Sequence, residues 1–261
     1  MSTLLLIFLA IVITSAFATI GVWLGRRLMR GRVAEGHHEV LVALFLTSGT
    51  LHAVFLAFLV IIVWQTYDAA RANVAEEASA LATLYRASSA MESGTGNRDH
   101  LRKLIRDYTE AVIHDEWAIQ AETGGASPKA RAWGLAIYRL FGKEDPAVKQ
   151  RDATINGVML EIISQIQSDR NKRTLAAEES LPAIMWGAAI GSGAIALFMS
   201  FFLFMEEAIL QMIFTSIMAS TIVLLLCITF VLSRPFAGPL ALQPGPFEHS
   251  LQVFDSVDAT P

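Results

Sequence analysis

The chain has 261 residues, 54% hydrophobic and 17% charged, with a mean hydropathy of +0.48 and a net charge of −4. Soluble domains carry about 25% charged residues, and here the shortage is local: residues 1–25, 40–64, 181–205 and 208–233 hold no Asp, Glu, Lys or Arg, while residues 65–180 hold 32 of the 44 charges. Such a distribution excludes a soluble enzyme; the single cysteine excludes a disulfide scaffold, and a pI near 5.9 gives no basic footprint for nucleic acid.

Uncharged apolar runs of about 18 residues or more read as membrane helices. The first runs over 4–25 and stops at Arg26-Arg27. Ala16-Phe17-Ala18 has the look of a signal cleavage site, but Met1-Ser2-Thr3 supplies no basic region and the run continues past the triplet, so a retained span is expected. The second span, 40–64, ends at Trp64 and Tyr67, whose rings and polar tips suit the membrane boundary. No Pro and only Gly49 occur between Val40 and Met91, which predicts one unbroken helix continuing out of the membrane.

The charged insert, 65–180, alternates helical periods with turn signals and shows no strand pattern. Glu92 to Asn97 breaks the first helix, and Leu101, Leu104, Ile105, Tyr108 and Val112 mark the second. Ser127-Pro128 and Asp145-Pro146 are cap-and-proline starts for two more, the last carrying Ile155, Met159, Ile162 and Ile166. The third span, 181–205, follows a Ser180 cap and Pro182; the fourth, 208–233, ends at Arg234-Pro235. With only Glu206-Glu207 between them, these two form a tight hairpin. Beyond, residues 234–261 carry five prolines, four of them within 235–246, and read as an extended tail. The expected fold is all-α: an integral membrane protein with two transmembrane helical hairpins, 1–64 and 181–233, flanking a helical soluble domain at 65–180.

Few side chains in the spans offer chemistry. His52 is the only ionisable group there besides Cys227, and Ser48 lies one turn before it, with Thr47 and Thr50 close by. Ionisable groups in hydrocarbon usually face protein or water. Thr47, Ser48, His52 and Phe55 are therefore the candidate pore-lining set, against the plainer reading of a neutral histidine bonded inside the bundle. Gly187 and Gly191 form a G-x-x-x-G that suits close helix packing. Trp64, Asp68, Arg71 and Arg234 are candidates for a lock at the membrane boundary. Glu110, His114, Asp115 and Glu116 read as a solvated charged face, since no second histidine stands at metal-ligand spacing. No nucleophile–base set or phosphate loop is present, so neither enzyme activity nor a cofactor is expected.

Several short motifs, in order, resemble one family: Trp64-Gln65-x-Tyr67-Asp68-x-Ala70, Glu77-Ala78, Leu84-Tyr85-Arg86, Arg106-x-Tyr108, Glu116-Trp117, Leu181-Pro182 with Trp186, and Arg234-Pro235-Phe236-x-Gly238. Across residues 40–250 the chain resembles the bestrophin-like family of mostly bacterial four-span membrane proteins. Bestrophins are oligomeric anion channels with two membrane hairpins around a cytosolic helical domain. The resemblance therefore implies a homo-oligomer in the lipid bilayer that passes ions, with the 40–64 span lining the pore. The acidic calcium clasp of bestrophins has no recognised counterpart in this sequence. The alternative function is a non-conducting membrane scaffold or sensor whose helical domain binds a partner protein.

Orientation follows from two opposed considerations. Four arginines, Arg26, Arg27, Arg30 and Arg32, sit in the short 26–39 loop, while the Glu206-Glu207 loop has none. The positive-inside rule places that loop in the cytoplasm and the insert outside the inner membrane. The resemblance implies the reverse. A reporter active only outside the cytoplasm should then work when fused at position 95 and fail at position 33; the opposite pattern gives the bestrophin orientation.

Overall fold

A computed structural model describes residues 3–29, 35–91, 97–142, 153–178 and 181–259, and among these there are helices and no strands. In chain order the helices are α1 (Thr3–Met29), α2 (Glu35–Ala87), α3 (Asn97–Ala111), α4 (Trp117–Thr123), α5 (Pro128–Gly142), α6 (Ala153–Glu178), α7 (Ala183–Ser200), α8 (Ala208–Leu232) and α9 (Gly245–Asp258). A 3₁₀ turn, Ser88–Ala90, follows α2, and a π-helical segment, Val112–Glu116, joins α3 to α4. The cap signals at Asp145-Pro146 and Ser180 lie outside the described residues.

Four helices are long and apolar enough to cross a membrane: Leu5–Leu28, the membrane part of α2, Ala183–Ser200 and Ala208–Leu232. α2 is the unbroken helix that the lack of proline predicts, 53 residues long, or about 80 Å at 1.5 Å per residue. The third span is shorter than the apolar run predicts. α7 stops at Ser200, and Phe201 to Glu207 turn the chain instead of extending the helix. Two compact units result, Met1–Gln65 with Ser180–Ser233, and Thr66–Glu179 with Arg234–Pro261.

In the first unit α1 packs along α8 through small and hydroxyl side chains. Ser15 Oγ lies 2.9 Å from Ser220 Oγ, and Thr19 Oγ1 lies 3.2 Å from Ser216 Oγ. Lipid tails are as apolar as leucine, so close backbone approach and such hydroxyl contacts replace the hydrophobic drive between helices. Gly21 permits the closest approach: a Cβ there would stand 2.5 Å from the Phe201 ring. Ala18, Val22, Leu197, Phe201 and Ala219 form the buried cluster around it. Arg26 closes the end of α1 by donating from Nη1 to Gln211 Oε1 and to the Met205 carbonyl, both at 2.9 Å.

In the second unit the buried faces of α2, α3, α5 and α6 meet around Leu81, Leu84, Leu101, Ile105, Tyr108 and Ile163. The C-terminal segment differs from the extended tail that its prolines suggest. Pro244 and Pro246 stand at the start of α9, where a missing N–H costs nothing. Beyond them Phe247, Ser250 and Phe254 are buried at helical spacing. Ser250 Oγ donates to the Ala78 carbonyl at 2.8 Å, and Phe254 stacks on Tyr85 with ring centroids 4.2 Å apart. Arg102 and Arg106 of α3 pair with Asp258 and Asp255 at 2.9 Å. The tail is a structural member of this unit.

Phe247 is fully buried, so Phe247→Ala should cost about 3–5 kcal/mol, the usual range for removing a buried ring. Denaturant unfolding of the purified chain should show that loss. Leu240→Ala, at a half-exposed position, should change stability by no more than about 0.5 kcal/mol.

Candidate functional site

In the membrane unit α2 presents one buried seam. His52, Leu56, Leu59 and Val63 lie on it, and the cluster of Leu56, Leu59 and Ala189 seats α2 against α7. His52 is only 4% exposed. Its Nδ1 lies 2.9 Å from Ser192 Oγ on α7. Gly193 makes room for the ring, because a Cβ there would come within 3.0 Å of His52 Cε1. Ser192 gives its single hydroxyl hydrogen to the Ala188 carbonyl at 2.7 Å. Its oxygen must then accept from Nδ1–H, which fixes the neutral tautomer and leaves Nε2 as a bare acceptor. Among the described residues Nε2 has no hydrogen-bond partner.

The four residues grouped as pore-lining from the sequence do not share a surface. Thr47 is exposed and its hydroxyl bonds back to the Ala43 carbonyl; Ser48 and Phe55 are half-buried, toward the seam. The opposite face of α2 is open. Leu44, Thr47, Leu51, Val54, Phe58 and Gln65 recur on it at helical spacing and all are exposed. Gly187 and Gly191 meet open space where a Cβ would stand, so on α7 it is Gly193 that serves helix packing within this chain. Trp64, Asp68, Arg71 and Arg234 are exposed. The C-terminal loop is fastened by Tyr67, whose Oη donates to the Leu240 carbonyl at 2.8 Å, and by Trp117, whose Nε1 donates to the Leu242 carbonyl at 2.9 Å.

The second unit contains a charged centre of its own. Arg173 on α6 is fully buried and donates through Nε and Nη2 to both oxygens of Glu77 on α2, at 2.7 and 3.1 Å. Nη2 also reaches Glu116 Oε1 at 2.9 Å, and Nη1 reaches Gln120 Oε1 at 3.0 Å. Arg170 donates to the other Glu116 oxygen at 2.7 Å, and Tyr108 Oη donates to Glu77 at 2.6 Å. The Arg173 guanidinium lies between Trp117 and Phe247, 5.6 and 5.5 Å from their ring centroids. Two cations and two carboxylates balance in charge. Burial, and then the Glu77 carboxylate, push the Tyr108 phenol well above its ordinary range, so it stays a donor. No group of three or more metal-ligating side chains exists among the described residues.

Residues 12–247 match the family profile described as the Bestrophin-like domain. The chain belongs to the bestrophin-like family. Its fold is that of a bacterial bestrophin homologue from Klebsiella pneumoniae. A crystal structure of a point mutant of that protein superposes with a TM-score of 0.76 at 13% identity, covering 97% of this chain and 99% of that chain. A second crystal structure of the Klebsiella homologue gives 0.73 at 12%, covering 99% and 100%. A crystal structure of a membrane protein with a proline-to-alanine substitution gives 0.74 at 12%, covering 97% and 99%. No curated protein matches. The chain is thus an all-helical integral membrane protein.

The charged centre escaped the sequence reading of the family member, although a signal for it was present. Glu77 falls on the stripe Val74, Ala78, Leu81, and Glu116 continues the stripe Ile105, Tyr108, Val112. Arg170 and Arg173 extend the stripe of Met159 and Ile166. Four charges of balanced sign on apolar faces point to a buried network. Of the four, Glu116 departs from the solvated face that its neighbours in sequence suggest, being fully buried. Glu110 and His114 are indeed exposed, and Asp115 pairs at the surface with Lys129 at 2.7 Å.

Arg173→Met would leave the buried Glu77 carboxylate without a cation and take one of two from Glu116, and should destabilise the protein by about 3–5 kcal/mol. Denaturant unfolding in mild detergent measures this. Lys129→Ala, which breaks the exposed pair, should stay within about 1 kcal/mol of the parent.

Proposed function

We propose that the protein is a homo-oligomeric ion channel of the inner membrane, with α2 lining the pore. The observation that carries this reading is the open face of α2. Val54 and Phe58 are 50% and 63% exposed in a single chain. On the same helical face, beyond Gln65, the exposed residues become small or polar: Ala69, Ala72, Glu76, Ser79 and Thr83. An apolar constriction opening into a wet vestibule has this pattern. Thr47, Leu51, Val54 and Phe58 are the lining residues of this reading, whereas Ser48, His52 and Phe55 support α2 from the protein side. Family membership supports the same conclusion, with anions as the permeant class.

For orientation we retain the arginine-rich 26–39 loop in the cytoplasm and the insert outside. Arg71, Arg170, Lys172, Arg173 and Arg234 flank the spans on the opposite side, but Arg170 and Arg173 are buried in ion pairs and are not available to lipid headgroups. The count that sets topology therefore favours Arg26, Arg27, Arg30 and Arg32.

Purified protein in planar bilayers should carry chloride current, and its mass in mild detergent should exceed that of one chain. Phe58→Ala, which widens the apolar stretch, should raise unitary conductance several-fold, while Phe55→Ala should leave it near the parent value. Absence of current across several salts and pH values, or a monomer in detergent, would refute the proposal.

A further inference from the structure

Between α2, α7 and α8 the membrane unit holds a cavity of about 480 Å³, within the range of small-molecule sites. Leu56, Val60, Met218, Ile222 and Leu225 give it apolar walls, and the only polar side chains on its lining are His52 and Thr221. Both present acceptors. The Thr221 hydroxyl hydrogen is committed to the Ile217 carbonyl at 3.0 Å. The His52 proton is committed to Ser192, leaving Nε2 unpartnered on a side chain that is 96% buried by its 4% exposure. A buried acceptor without a donor costs free energy in hydrocarbon, where no bulk water reaches it. Exposed Ala53, Ala57 and Ile61 line the same cavity, so it opens on the outer surface of the membrane unit.

We propose that this cavity binds a lipophilic molecule that carries a hydroxyl group, its chain against the apolar walls and its O–H donated to His52 Nε2. The acceptor-only polar lining selects the donor. An ether or ester of the same chain fills the space but leaves Nε2 without a partner. The site is complete within one chain and does not depend on the channel reading.

The test uses the full-length protein in phosphatidylcholine nanodiscs with a diazirine-bearing hexadecanol, compared with its methyl ether. Adducts are mapped by mass spectrometry. On the unaltered chain the alcohol should label residues 53–61 and 218–225 about tenfold more than the ether, the effect of one hydrogen bond of ~1.4 kcal/mol. Ala57→Trp, which fills the cavity and keeps His52, should abolish the labelling. His52→Leu should bring alcohol and ether to the same level. Equal labelling by both probes on the unaltered chain would overturn the proposal and leave a cavity for acyl chains alone. Adducts elsewhere, or none, would also overturn it.

Discussion

A guanidinium removed from water must be surrounded by acceptors, and Arg173 imposes that demand on the whole second unit. Its five N–H donors form a rigid fork. Satisfying it brings Glu77 from α2, Glu116 from the π-helical segment and Gln120 from α4 to one point, with Trp117 and Phe247 closing the two faces. The Coulomb gain barely offsets desolvation in such networks, so their chief effect is to fix geometry. Any slip in register of α2 against α6 would strand a charge. The π-helical segment fits this logic: its wider turn lies where Glu116 must reach both Arg170 and Arg173.

The membrane unit is built on different physics. No buried ion pair holds it among the described residues; its helices meet through Ser15, Thr19, Ser216 and Ser220 and through Gly21 against Phe201. Where the solvent is itself apolar, burial of leucine gains little, and contact distance decides which helices associate. His52 and Ser192 join α2 to α7 by a side-chain hydrogen bond. The seam is therefore weaker and more local than the charged centre.

How much of this was legible in the sequence follows from the same contrast. The four spans were plain because hydrocarbon excludes charge over whole windows, and the length of α2 was plain because nothing in it breaks a helix. The end of α7 was not, because Phe201 to Met205 are as apolar as the helix before them and only packing stops it. Pro244 and Pro246 suggested an extended tail; as helix-starting residues ahead of Phe247, Ser250 and Phe254 they mean the opposite. Glu77, Glu116, Arg170 and Arg173 occupied apolar stripes, but a charge on a stripe gains its meaning only when its partner, far away in sequence, is known. His52 was legible as a buried group, and its direction was not: helical spacing groups Ser48 with His52 without saying which side of α2 meets protein.

α2 alone belongs to both units, and its inner seam changes chemistry along its length. Over Gly49 to Val63 it offers His52 and aliphatic side chains; over Ala70 to Leu81 it offers alanines and Glu77. Each unit thus selects its own seam residues on this helix. Away from those seams the exposed residues are Leu44, Thr47, Leu51, Val54 and Phe58 in the first unit, and Ala69, Ala72, Glu76, Ser79 and Thr83 in the second. Covering these positions with the chain's own helices would bury Glu76 and Arg86 without partners from either seam, whereas symmetry-related copies of α2 around a water column would leave them solvated. The placement of charge on the outer side of α2, as much as the apolar stripe within the membrane, thus favours an aqueous axis.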